Sequence, residues 1–226
     1  MLALKNRTLR TDFGKGLVLH SRLCRLIFLA IVSFAVPTSP LLAVDYFYQS
    51  GDATLLASWN TVLAGGGATP ANFTTAADRF LVPSGRTAVI TANLALGAGV
   101  VLQVQTGGAF DGQAFAVTGT GDFDLQAGAS LITAHTGGVN GGVVQVTGTR
   151  TFNPTASYTF NAAAATQISG FATGTAITGA QSITVNNQSA PTAGALQMDN
   201  GITLTGSLTV QRGTFDCGAQ NHAFNG

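Results

Sequence analysis

Two carboxylates two residues apart give this chain its plainest opening for chemistry. Asp122 and Asp124 flank Phe123 in a segment that alternates apolar and polar residues. On a strand, residues i and i+2 share a face and lie roughly 7 Å apart. That separation suits the acid and base of glycoside cleavage, and some β-solenoids carry polysaccharide-cleaving sites on a lateral groove. It equally describes two solvated positions on a polar face, which is the reading adopted. The same segment fails as a calcium repeat. The nonapeptide pattern is Gly-Gly-x-Gly-x-Asp-x-apolar-x, whereas Gly119-Thr120-Gly121-Asp122 offsets the acid by one and does not recur.

The remaining candidates carry weaker signals. His135, before Gly137-Gly138, and His222, beside Asn221, have no Cys, His or Asp partners at ligand spacing and read as turn or surface residues. No Gly-x-Ser-x-Gly elbow marks a nucleophilic serine. Gly65-Gly66-Gly67 is not followed by Lys or a helix, so it is no phosphate cradle. Paired threonines (Thr118/Thr120, Thr147/Thr149/Thr151, Thr173/Thr175, Thr203/Thr205) suggest the flat arrays of ice-binding solenoids, but Gly interrupts three of the four sets. Asn72-Phe73-Thr74 and Asn187-Gln188-Ser189 match glycosylation acceptors by chance. Cys217 reads as a small buried strand residue, with a partner thiol beyond the chain as the alternative. The expectation is therefore no catalytic residue, no metal site and no cofactor.

The elements that must position these residues are short strands that keep restarting. Val100–Val104, Ala114–Thr118, Ser130–Thr133, Val143–Thr147, Ser182–Val185, Ile202–Leu204 and Ser207–Val210 alternate apolar and polar residues between Gly-rich turns. Gly97, Gly99, Gly107, Gly108, Gly119, Gly121 and Gly128 are expected to supply positive φ at tight corners. Several strands are only three or four residues long, shorter than a sandwich usually carries. Asn140-Gly141 and Asn200-Gly201 keep a hairpin or two open, and a sandwich or barrel is the alternative fold. The pattern predicts an all-β, right-handed parallel β-helix, a solenoid with an irregular N-terminal cap. Coils of ~20 residues would give about seven turns, roughly 34 Å of stack.

Composition agrees and adds a location. The chain has 226 residues, 29 of them Gly, and only 8% are charged. Its nine acidic residues are all Asp. Charged helix formers are scarce, whereas Thr, Val and Ala abound, which favours strands. The start differs. Lys5, Arg7, Arg10, Lys15, Arg22 and Arg25 precede an apolar run from Leu26 to Val36, then Pro37, Pro40 and Ala43. This reads as a helical secretory signal peptide cleaved after Ala43. The run is shorter than the ~20 residues of a membrane span, and the two prolines break it. Beyond it, four Arg face eight Asp, a formal net charge of −4, with no basic footprint for nucleic acid. The expected organisation is a signal peptide over 1–43, a capping segment over 44–86 that holds the aromatic start Tyr46-Phe47-Tyr48 and Trp59, and solenoid repeats over 87–226. The last unit has no polar cap, so the chain reads as the front of a longer protein with further domains.

Several segments carry a family likeness. They are Ser58-Trp59-Asn60 with Thr69-Pro70-Ala71-Asn72-Phe73, the stretch Gly119–Ala129, Val146–Phe152 running on into Ala156–Asn161, and Ile202–Val210. Together they span most of residues 46–226. The chain resembles the N-terminal region of large secreted adhesin-like β-solenoid repeat proteins of Gram-negative gliding-type bacteria. One departure is Ala162–Ala165, where the family usually has a Gly-containing stretch. The resemblance implies surface display or release, often by type IX export through a signal at the far C-terminus, which this chain does not contain. The expected function is thus a secreted or cell-surface, adhesin-like, non-catalytic structural and binding repeat. Its expected partners are surface glycans or other cell-surface components. The alternatives are a carbohydrate-active β-helix enzyme of polysaccharide lyase or glycoside hydrolase type, and an ice-binding solenoid.

Overall fold

A computed structural model describes residues 42–172, 176–189 and 194–225. The signal-peptide helix expected over 1–43 falls almost wholly outside the described residues. The described chain is all-β, with a parallel β-solenoid of about six turns. One sheet stacks Trp59–Asn60, Asp45–Tyr48, Arg79–Val82, Val101–Val104, Asp122–Leu125 and Arg150–Phe152. The second stacks Thr87–Val89, Ala109–Asp111, Ser130–Thr133, Ser157–Phe160, Ser182–Asn186 and Leu208–Arg212. Shorter ladders complete the coils: Leu94–Leu96 with Val117–Gly119; Thr166–Ile168, Ala195–Gln197 and Thr214–Asp216; and Gly179–Ala180, Thr203–Leu204 and Ala223–Phe224.

The alternation visible in the sequence sets the interior. Phe80, Leu102 and Phe123 follow one another in register across the first sheet. Ala88, Phe110, Leu131, Tyr158 and Ile183 do so across the second. All eight are buried. Because neighbouring strands are parallel and in register, each inward side chain lands on the inward side chain of the coil before it, and the core becomes a column. Each buried large apolar side chain contributes about 1.5–3 kcal/mol relative to exposure.

The coils are longer than ~20 residues, which is why about six turns form and not seven. Contacts between adjacent rungs join residues 21 apart at Gln103 and Asp124, 27 apart at Asp122 and Thr149, and 25 apart at Ser157 and Ser182. Val143–Thr147, expected as a strand, is a turn followed by irregular chain. Val143 N–H and Val144 N–H bond back to Gly138 and Val139 carbonyls, which folds the Gly-rich segment on itself. The segment still extends the ladder of Val117–Gly119 through bonds from Gln145 N to Val117 O and from Thr147 N to Gly119 O, both 2.8 Å.

Glycine plays two roles where one was expected. Of the seven corner glycines, Gly99, Gly107, Gly119 and Gly128 have positive φ. At Gly107, φ is 75° and Gly108 N donates to Gln105 O at 2.8 Å, closing a turn whose third residue is left-handed. Gly97, Gly108 and Gly121 lack positive φ and are required by close approach. A Cβ on Gly121 would stand 2.6 Å from Leu96 Cβ and 2.7 Å from Val100 O, in the preceding coil.

The parallel ladder also reaches back before residue 87, since Asp45–Tyr48 pairs in parallel with Arg79–Val82. Among the described strands, only Trp59–Asn60 runs antiparallel to its neighbour. Trp59 is fully buried, donates from Nε1 to Ala53 O at 2.9 Å, and meets Tyr48, Phe73 and Phe80 edge-on. These aromatics roof the first coil. Among the described residues, no helix is long and apolar enough to cross a membrane.

Candidate binding face

The second sheet turns a regular set of hydroxyls outward. Its strands alternate half-buried and buried positions, so residues between the core positions point away from the interior. Register places Ser130 beside Ser157 and Ser157 beside Ser182. Leu208 pairs with Ile183, so Ser207 comes next in the same line. Two residues along each strand, Thr159, Thr184 and Thr209 form a second line. Three successive rungs therefore repeat Ser-x-Thr: Ser157/Thr159, Ser182/Thr184 and Ser207/Thr209. The mesh is ~4.8 Å between rungs and roughly 7 Å along a strand. Ser182 Oγ donates to Ser157 Oγ at 2.8 Å, which holds two of the hydroxyls in line.

A shallow trough follows the corner between the two main sheets, beside the serine line. Thr106, Gly128, Thr155, Gln181 and Thr205 line it. A hydrogen-bonded column of turns leads to its Gly128 and Thr155: Gly85 N donates to Gly107 O, Gly107 N to Gly128 O, and Gly128 N to Thr155 O, at 2.9–3.2 Å. In the last of these turns, Asn153-Pro154-Thr155-Ala156, Asn153 Oδ1 accepts from Thr155 N at 3.0 Å and from Thr155 Oγ1 at 2.8 Å. Asn at the first position and Pro at the second build this turn without glycine.

Asp122 and Asp124 lie on the outer side of the first sheet, both half-buried, as alternation requires. Each carboxylate is engaged by a neighbouring rung. Asp122 Oδ1 accepts from Thr149 N at 2.6 Å, and Asp124 Oδ2 accepts from Gln103 Nε2 at 2.7 Å. Both therefore serve the ladder. Among the described residues no group of three or more His, Cys, Asp or Glu is placed to hold a metal.

The other sequence candidates scatter. His135 Nδ1 accepts from Gly137 N at 3.0 Å within a turn. His222 Nε2 sits 3.1 Å from Cys217 O, with its ring near Phe215 and Phe224. Gly67 closes a loop onto Asn60 Oδ1 at 2.7 Å. Asn72 Oδ1 accepts from Thr74 N at 2.7 Å, and Asn187 is fully buried, with Oδ1 accepting from Ser189 N at 3.0 Å. Cys217 is exposed, against the expectation of burial. It follows Thr214–Asp216, the last strand of its ladder among the described residues. Thr118, Thr147, Thr149, Thr151 and Thr203 spread over several faces, Thr205 lines the trough, and Thr173/Thr175 lie outside the described residues. The aligned hydroxyls were hidden because their partners lie about 25 residues apart, at coil lengths that vary, and only register reveals them.

Electrostatics concentrate at the first coil. Arg79 meets Asp45 through two bonds of 2.7 Å, and this pairing raises the Arg79 pKa. Burial pushes the Asp52 carboxyl up, but hydrogen bonds from Thr91 and Thr54 outweigh it and hold the pKa below its ordinary value. Asp78 is buried, and desolvation raises its pKa although a bond from the Val44 backbone opposes this. No family model, curated protein or solved structure matches the chain.

Proposed function

We propose that this chain is a secreted or cell-surface, adhesin-like repeat protein that works by presentation and not by catalysis. The observation that carries the reading is the in-register Ser-x-Thr face of the second sheet with its adjoining trough. A parallel ladder satisfies its own backbone, so the outward hydroxyls remain available for many weak polar contacts along one direction. Extended surface glycans, whose hydroxyls also repeat along a line, are the partner class that such a face suits. The leader over 1–43 directs export, and the formal charge of −4 beyond it gives no attraction to nucleic acid.

The test is a co-sedimentation assay on insoluble polysaccharides and a glycan array, with wild type and a Ser157→Lys/Ser182→Lys/Ser207→Lys triple variant. Binding lost in the variant, with an unchanged circular dichroism spectrum, supports the reading. Binding that survives intact refutes it. Ice binding is the second reading, favoured by the same in-register hydroxyls. It requires ice-recrystallisation inhibition that the triple variant loses. Release of reducing ends from a polysaccharide would instead favour the enzyme alternative.

A further inference from the structure

The trough beside the serine line continues past the corner on both sides. Thr106 and Ala127 line both the trough and a hollow around Asp124 at the end of the first sheet. Gln181 lines both the trough and a hollow beside Ser157 and Ser182. The three form one groove that crosses from the outer side of the first sheet to the hydroxyl face. Each part measures about 330–460 Å³, within the range of small-ligand sites. Asp124 stands at its head, inside the stack, with Gln103 and Thr151 in register on the rungs to either side.

Among the described residues that line this groove, Asp124 is the one ionisable group, and none is aromatic or basic. Its carboxylate is already oriented. Oδ2 accepts from Gln103 Nε2 at 2.7 Å, while Oδ1 has no partner among the described residues. A fixed carboxylate with a vacant oxygen accepts strongly from a hydroxyl donor. An anionic group brought to the same place meets a like charge with no cation lining the groove to offset it, which disfavours it. We infer that Asp124 is a sugar-binding residue, that the groove takes an uncharged polysaccharide across the corner, and that the same carboxylate rejects uronate and sulfated chains. This rests on the glycan-binding reading of the hydroxyl face and narrows its partner class.

Binding isotherms of the full chain on immobilised dextran, hydroxyethyl cellulose and galactomannan, and on their carboxymethyl derivatives, test this at physiological salt. Asp124→Asn is the variant. Asp122→Asn is the control, since it removes the same charge from the same face but does not line the groove. The leader is common to all three proteins, so it cannot produce a difference between them. Asp124→Asn is expected to raise the Kd for the neutral polymers roughly tenfold or more, the loss of a hydrogen bond to a charged acceptor, and to lower it for the carboxymethyl forms. Asp122→Asn is expected to change neither by more than about twofold, because exposed charges are screened at this salt. Shifts of the same direction on neutral and anionic polymers overturn the inference, and so does an Asp124→Asn that matches the control. Should the variant misfold, carbodiimide coupling on wild type decides: a neutral polymer must protect Asp124 and leave Asp122 as reactive as before. Wild type that binds none of the neutral polymers overturns the glycan reading and the inference together. Neutral binding that the Ser157/Ser182/Ser207 triple variant loses, with Asp124→Asn unchanged, overturns the inference alone.

Discussion

Replacing Phe123 by Ala should cost about 3–5 kcal/mol, the range for deleting a fully buried aromatic ring. Phe123 is 0% exposed and sits in register with Leu102 of the preceding coil. Its ring lies 6.0 Å from Phe110, edge-on, and 5.9 Å from Phe152. Transfer of the side chain out of water accounts for about 1.5–3 kcal/mol. The rest comes from a cavity that cannot collapse, because ladders above and below fix the walls. Phe115 is the control. It is 37% exposed and stands at a turn, so Phe115→Ala should shift stability by no more than about 1 kcal/mol. Urea unfolding followed by circular dichroism reads both, provided the slopes match wild type so that midpoints compare directly. Equal losses for the two variants would refute an inward column at 123 and an outward position at 115.

Three further outcomes follow from backbone and charge. Ala77 has φ 73° at the corner where the next coil places Gly99, with Ala77 N bonded to Gly99 O at 2.9 Å. Ala77→Gly relieves a left-handed cost of about 1–2 kcal/mol and adds back part of it as backbone entropy, so thermal unfolding should show a net gain of about 0.5–1 kcal/mol. Gly121→Ala should lose about 1–3 kcal/mol by overpacking against Leu96 and Val100, measured by the same unfolding curves. Asp78→Asn should raise Tm at pH 7. The folded pKa of Asp78 lies above the unfolded value near 3.9, so its charge penalises folding fully above the folded pKa and not at all below the unfolded one. The gain should shrink as pH falls through that window, and a gain that grows toward acid would contradict the assignment.

The fold was legible because alternation and short run length are local signals. Ser130–Thr133 and Asp122–Leu125 could be read directly, since each alternates cleanly between turn residues. Val143–Thr147 was not, because Gly141 and Gly142 allow a self-bonded turn that the apolar alternation conceals. Glycine is ambiguous in the same way: Gly107 is required for φ and Gly121 for space, and the residue letter is identical. The paired carboxylates were placed on one outer face as expected, but their hydrogen bonds to Gln103 and Thr149 depend on which rung lies alongside. Cys217 was misjudged for a related reason, since burial depends on a covering rung and not on the residue. Register between coils of unequal length is a tertiary property, and the hydroxyl face rests on it.

That register can be measured by placing nitroxide labels at Ser157→Cys, Ser182→Cys and Ser207→Cys in a chain with Cys24→Ser and Cys217→Ser. Adjacent rungs at ~4.8 Å bring the labels into orbital overlap. The continuous-wave electron paramagnetic resonance spectrum should then collapse toward a single exchange-narrowed line. Three resolved lines, as from separated labels, would contradict the stacked serine column and the binding face with it.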